Sequence, residues 1–434
     1  MNTRTLLFAC IVGILVIFML SVGCTLEDWE YTWARHGVGD QYDGQLSFEL
    51  LQTRGSFDPR QDHASAIFDD AIWIFGGYNP HVRGDQLNYL SDVWKSEDGY
   101  TWQCITTDAP WKGRRGHQVV VFEDALYLIG GYRVHRIEGT TYGKAANDVW
   151  KSEDGVTWEE IKPDSYKTRV THPNIPLTDD VRGEDLYNPI DDKDWYPRLH
   201  HSVAILDGKM VLFGGYAKEW MPYLNDGNRD QTRRYFADMW SSTDGIAWTQ
   251  MDPMTLGDDQ GNLFGQYTAG RSDFASFIHD GDLYMLGGTS WFSFQEYSSG
   301  FVVPNWDRFW KLSSDGWEAI GPYNQEYIDR RGHQIVEYNG AYWILPGSKP
   351  AAIQWYKGAD SLWKITINET LEIQRDGSQR AGSPMYGISH YTAEVFTPTV
   401  GIHAGQEAIY VLCGDGDGGV RNSVWRVTDD QEDN

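Results

Sequence analysis

Short apolar runs bounded by turn residues recur along this chain, and six of them end in a glycine-containing doublet. They are Ile72 to Phe75 before Gly76-Gly77, Leu126 to Ile129 before Gly130-Gly131, Met210 to Phe213 before Gly214-Gly215, Leu283 to Leu286 before Gly287-Gly288, Tyr342 to Leu345 before Pro346-Gly347, and Ile409 to Leu412 before Cys413-Gly414. Eleven to twenty-five residues after each doublet a tryptophan opens another run: Trp94, Trp150, Trp240, Trp310, Trp363 and Trp425. Four-residue apolar runs between turn signals are strand-length, and self-similarity that survives insertions between its fixed points marks a repeat whose units must be buried by their neighbours.

The first three copies give the internal order of a unit. A strand starts near His63, His117 or His201, turns at Asp69-Asp70, Glu123-Asp124 or Asp207-Gly208, and returns as the doublet strand. A variable connection leads to the tryptophan strand (Asp92-Val93-Trp94, Asp148-Val149-Trp150, Asp238-Met239-Trp240). A tight turn, Glu97-Asp98-Gly99, Glu153-Asp154-Gly155 or Thr243-Asp244-Gly245, then reaches a fourth strand carrying Trp102, Trp158 or Trp248. Acidic-Gly pairs between apolar runs predict hairpins, because Gly and Asp tolerate the positive φ such turns need.

Four antiparallel strands per unit, with a glycine pair and a later tryptophan, resemble the kelch repeat. The resemblance runs over residues 47–430 and implies an all-β, six-bladed β-propeller. It is carried most fully by the first four units; proline or cysteine replaces the first glycine in the last two. The Asp-Gly turns are also similar to sialidase-type Asp-box hairpins, one residue shorter, and are read as a local hairpin device. The last unit supplies three strands, ending at Ser423 to Val427, while an unassigned strand-like stretch, Ser47 to Leu51, precedes the first. The N-terminal strand is therefore expected to close the last blade, leaving no open sheet edge in a monomeric ring.

Charge and termini narrow the setting. The chain has 434 residues and a formal net charge of -26, which excludes general attraction to nucleic acid or anionic surfaces. Arg4 precedes an apolar run from Leu6 to Val22, which reads as a secretory signal. Leu20-Ser21-Val22-Gly23-Cys24 resembles the lipobox of bacterial lipoproteins, which implies lipidation at Cys24. The expected organisation is a signal peptide over 1–24, a tether over 25–46, the propeller over 47–430 and a tail over 431–434. An uncleaved spanning anchor is the alternative; either places the propeller outside the cytoplasm, in a bacterial periplasm or on the cell surface. Cys104 and Cys413 form no disulfide framework.

The long connections, 78–91, 132–147, 216–236, 289–306, 348–359, 162–196 and 252–269, all fall on one face by strand polarity, which marks a binding face. On that rim an arginine stands three positions before the repeat's histidine slot: Arg60, Arg114, Arg198 (before His201), Arg271 and Arg330. These arginines either ring the channel mouth, ready to fork onto a carboxylate or sulfate, or clamp blade to blade. In the last unit Gly387, three before His390, breaks the series. Trp220, Trp291 and Trp355 lead the aromatics of the connections, suited to a sugar face or a protein partner. No metal, phosphate-loop or triad motif occurs, so no cofactor or metal is expected; Asp415 to Gly419 reads as a hairpin loop. The reading is a non-catalytic, lipid-anchored propeller that binds a glycan or partner protein. Two alternatives stand: a structural subunit of an envelope assembly, and a sugar-acid epimerase or mutarotase, which a resemblance to sialic-acid-type mutarotases implies. Asp62, Asp273, His200 and Glu219 are the candidate proton-transfer groups for the latter.

Overall fold

The computed structural model describes residues 45–429 apart from 53–56, 82–87, 138–139, 166–193, 220–231, 255–269, 290–308, 315, 321–329, 349–360, 368–370, 379–384, 386–387 and 417–418. Among the described residues there is no helix; the strands make six antiparallel sheets. Blade one is Ala64–Phe68, Ala71–Tyr78, Tyr89–Ser96 and Gln103–Thr106, in that spatial order. The innermost strands of successive blades neighbour one another round a full circle, and Thr392–Phe396 of blade six returns to Ala64–Phe68 of blade one. The fold is a six-bladed propeller.

Leu46–Gln52 is the outer strand of blade six, antiparallel to Gly419–Asp429, with Leu46 opposite Asp429 and Leu50 opposite Trp425. The expected N-terminal closure is present. The apolar core sits between blades rather than within any one of them. Between blades one and two, Trp73, Phe75 and Val93 pack against Trp111, Leu126, Leu128 and Trp158. Between blades six and one, Leu51, Tyr410 and Leu412 pack against Ile72, Ile74 and Trp102. Each sheet thus buries both faces on its neighbours, which explains why the second strands read as unbroken apolar runs.

The acidic turns are built as the sequence implies. Asp98 Oδ1 accepts from the backbone N–H of Tyr100 and Thr101 at 2.8 and 2.6 Å, and Asp154 and Asp244 repeat the arrangement. One connection departs from the tight-turn rule on that face: residues 397–407 of blade six form a longer loop, in which Ile402 is 80% exposed. On the opposite face, part of what reads as loop is strand. Ala125–Ile137 pairs with Thr140–Ser152 well past its glycine doublet, and Lys209–Glu219 adds Thr232–Tyr235. The doublets act as bulges after which pairing resumes, so these connections rise from the disc as hairpins. Most of the connections at 82–87, 166–193, 255–269, 290–308 and 349–360 lie outside the described residues.

Candidate functional site

Four of the five repeat arginines, Arg60, Arg114, Arg198 and Arg330, have no solvent exposure. Arg114 forks onto Asp148 with two bonds of 2.9 Å and donates to the Gly130 carbonyl at 2.8 Å and to the Trp111 carbonyl. Arg60 holds Asp92, and Arg198 holds Asp238, in the same way. The same aspartates accept from the tryptophan two residues later, Trp94, Trp150 and Trp240, at 2.7 to 3.0 Å. The Asp-x-Trp pattern is therefore half of an Arg–Asp–Trp unit within one blade. In blade five Ser361 takes the acid's place and accepts from Trp363 at 2.8 Å. The arginine backbone works between blades: the Arg198, Arg271, Arg330 and Arg60 carbonyls accept from Gly131, Gly215, Gly288 and Gly414 of the preceding blade.

These side chains are thus clamps, and the channel mouth is not a ring of free guanidiniums. His201 is 2% exposed, packed on Trp195 and on Gly130 of the previous blade. A Cβ at Gly130 would lie 3.0 Å from the His201 ring, so the doublet's first glycine makes room for the next blade's histidine. Burial, and then Arg198, hold His201 neutral, with its pKa far below the ordinary imidazole range. In blade four Phe274 fills the same slot against Gly214. An apolar ring there shows that the slot is a packing position.

The residue just before that slot builds the axis. Asp62, Gly116, His200, Asp273, Gly332 and His390 all have φ between 53° and 61°. The N–H of each donates to the carbonyl of the one in the preceding blade: Gly116 to Asp62, His200 to Gly116, Asp273 to His200, Gly332 to Asp273, His390 to Gly332 and Asp62 to His390, at 2.8 to 3.3 Å. Six blades are thereby tied by one closed circle of backbone hydrogen bonds. His390 belongs to this circle, and the frame assumed for blade six is corrected by one residue: Ile388 occupies the arginine position and Tyr391 the histidine slot. The register fixes this, since Thr392 lies opposite Leu412 just as Ala64 lies opposite Phe75.

Around the axis the side chains read Asp, Gly, His, Asp, Gly, His. A Cβ at Gly116 would fall 2.1 Å from the His200 ring, so His200 reaches across the glycine to Asp62, its Nε2 3.5 Å from Oδ1. Its Nδ1 bonds Asp273, and His390 Nε2 lies 3.4 Å from the same Asp273 oxygen. Burial alone would raise both carboxyls. His200 and His390, with Arg115 at Asp62, instead hold them well below the usual carboxylate range. Burial alone would lower His200, but Asp273 and Asp62 push it up to about 10. The two carboxylates draw positive charge to His200 Nε2.

Above the axis, blades one to three each follow the doublet with tyrosine. Tyr78 and Tyr132 flank Tyr89, with ring centroids 5.1 and 5.8 Å away, and Arg115 lies over Tyr78 at 4.8 Å while its Nη1 is 3.5 Å from Asp62 Oδ2. Tyr216 packs edge-on against His200 and tilted against Tyr235. Arg115 and Tyr89 escaped the sequence reading, although three Gly-Gly-Tyr triplets pointed to this wall. Trp220, Trp291, Trp355 and Cys24 lie outside the described residues, as does the Glu219 side chain. Cys104 and Cys413 are free thiols.

No family model matches the chain. It is 22% identical over 292 residues to Kelch domain-containing protein 3 of Bos taurus, covering 65% of this chain and 61% of that protein. It is 28% identical over 187 residues to Beta-scruin of Limulus polyphemus, covering 37% of this chain and 19% of that protein. It is 24% identical over 179 residues to Tip elongation aberrant protein 3 of Schizosaccharomyces pombe, covering 36% of this chain and 14% of that protein. The chain spans less than two thirds of the length of these relatives.

Proposed function

We propose that this chain, a six-bladed kelch-repeat propeller, is a non-catalytic binding protein that takes a partner protein on its hairpin face, outside the cytoplasm and tethered through a lipid at Cys24. The observation that carries the reading is the asymmetry of the disc. Extended hairpins in blades two and three and the tyrosine-lined mouth share one face, while the other keeps mostly tight acidic turns. Rigid sheets presenting elaborated connections are the usual architecture of recognition. The similarity to kelch-domain proteins supports the same reading. The epimerase alternative would use Asp62, His200 and Asp273, but Asp273 is engaged by His200 Nδ1 and Asp62 Oδ2 faces Arg115, which favours binding over proton transfer to a substrate.

The test is to shorten the blade-two hairpin by replacing residues 135–142 with Asn-Gly, which leaves Arg133 and Lys144 on Asp164. Cross-linked partners are expected to fall at least about tenfold in yield, with melting unchanged, as losing a binding element predicts. Undiminished capture would refute the hairpin face as the docking surface, and saturable signal on a glycan array would transfer the reading to a sugar ligand. The anchor has its own check. Radioactive fatty acid is expected in the intact chain and absent after Cys24→Ala; label retained in that variant would exclude lipidation at this cysteine.

A further inference from the structure

We propose that the axial circle binds one divalent first-row transition cation through Asp62, His200 and His390. Each offers a ligand atom, and the three atoms lie within 4.8 Å of one another. Two imidazoles and one carboxylate form a donor set that suits zinc and its neighbours, and three protein ligands leave a coordination position for water or an external group.

The orientation of His200 points to the ion. Asp273 engages Nδ1, which fixes the tautomer and leaves Nε2 as the coordinating atom. Nε2 is buried and has no hydrogen-bond partner. It stands 3.5 Å from Asp62 Oδ1. That separation is beyond an ordinary hydrogen bond of about 2.7–3.2 Å. It is close to the distance of about 3.3 Å that two donors keep when they share one tetrahedral ion with bonds of about 2.0–2.1 Å. Arg115 faces the other oxygen, Oδ2, so Asp62 is presented with a single donor atom to the axis.

The second layer has the form that metal-binding histidines require. Asp273 bonds His200 Nδ1, and Ser389 Oγ is 3.0 Å from His390 Nδ1, so each ring keeps Nε2 as its coordinating atom, that of His390 lying 3.4 Å from Asp273 Oδ1. Outer carboxylates of this kind orient imidazole ligands and raise their basicity. Backbone geometry supplies the preorganisation, because all three ligands hang from left-handed residues locked into one hydrogen-bonded circle. The donors come from blades one, three and six, so no local spacing in the sequence announces them. The site does not depend on what the hairpin face binds.

The full chain, stripped with chelator, is expected to take up one Zn²⁺ by calorimetry and to give visible d–d absorption with Co²⁺. Zinc-edge absorption of the unaltered protein should show two imidazoles in the coordination shell. Asp62→Asn and His390→Gln are expected to weaken Zn²⁺ by at least about 100-fold, and Asp273→Asn, which removes an orienting group, by roughly 10–100-fold. Zinc uptake undiminished in His390→Gln would place the ion elsewhere and overturn the proposal. So would an edge spectrum lacking two imidazoles, and that measurement decides the matter even where a variant fails to fold.

Discussion

A chain that begins at residue 56 is expected to melt roughly 5–10 °C below the intact protein, over a broader transition, and to aggregate on heating. The deletion removes Leu46–Gln52, whose residues pair with Val424 through Asp429. Leu46 and Leu51 are 3% and 8% exposed, in the seams of blade six with blades five and one respectively. Losing two buried leucines at about 1.5–3 kcal/mol each, plus a ladder of backbone hydrogen bonds, makes a loss of order 5 kcal/mol. The remaining strand would then be a long, unpaired edge. A synthetic peptide of residues 43–56 added in trans should restore much of the melting temperature. Scanning calorimetry that finds the same transition with and without the segment would show that closure is dispensable.

Asp148→Ala is expected to cost about 3–5 kcal/mol in chemical denaturation, the range for removing one partner of a buried ion pair. Both side chains of the Arg114–Asp148 pair are fully enclosed, and Asp148 also accepts from Arg133 at 2.8 Å and Trp150 at 3.0 Å. Burial alone would raise its carboxyl; Arg114, then Arg133 and the Trp150 hydrogen bond, hold it down at about 2. Alanine would strand a guanidinium that cannot shed its charge. The exposed Lys151–Glu153 pair in the same blade provides the contrast, since Glu153→Ala should leave the midpoint unmoved. An Asp148→Ala midpoint within error of the parent would show that the clamp adds nothing to stability.

The blades are legible in the sequence because each must rebuild the same interface. The glycine before a neighbour's ring, the Asp-x-Trp strand and the acidic turn recur together in blades one to three. Blade six has Ile388 for the arginine and Ser423 for the acid, and that paired loss disguises its frame: anchoring on His390 as the repeat histidine shifts the alignment by one. The axial site is harder to see because its members stand more than fifty residues apart. Yet the position before the slot holds Asp62, Gly116, His200, Asp273 and Gly332 in blades one to five, the residue types that most readily accept positive φ. That shared backbone preference is the trace of the circle in the sequence. The hairpins read as loops because pairing beyond a glycine bulge follows from tertiary register rather than from local apolar alternation.

In blade six, the chain enters at Leu46 and leaves at Asp429 from opposed positions on adjacent strands, at the end where the acidic turns lie. The ends of these two strands therefore lie behind the disc, at its rim. Under the lipid anchoring proposed at Cys24, attachment on that side leaves the hairpins and tyrosine mouth on the face away from the anchored strand end.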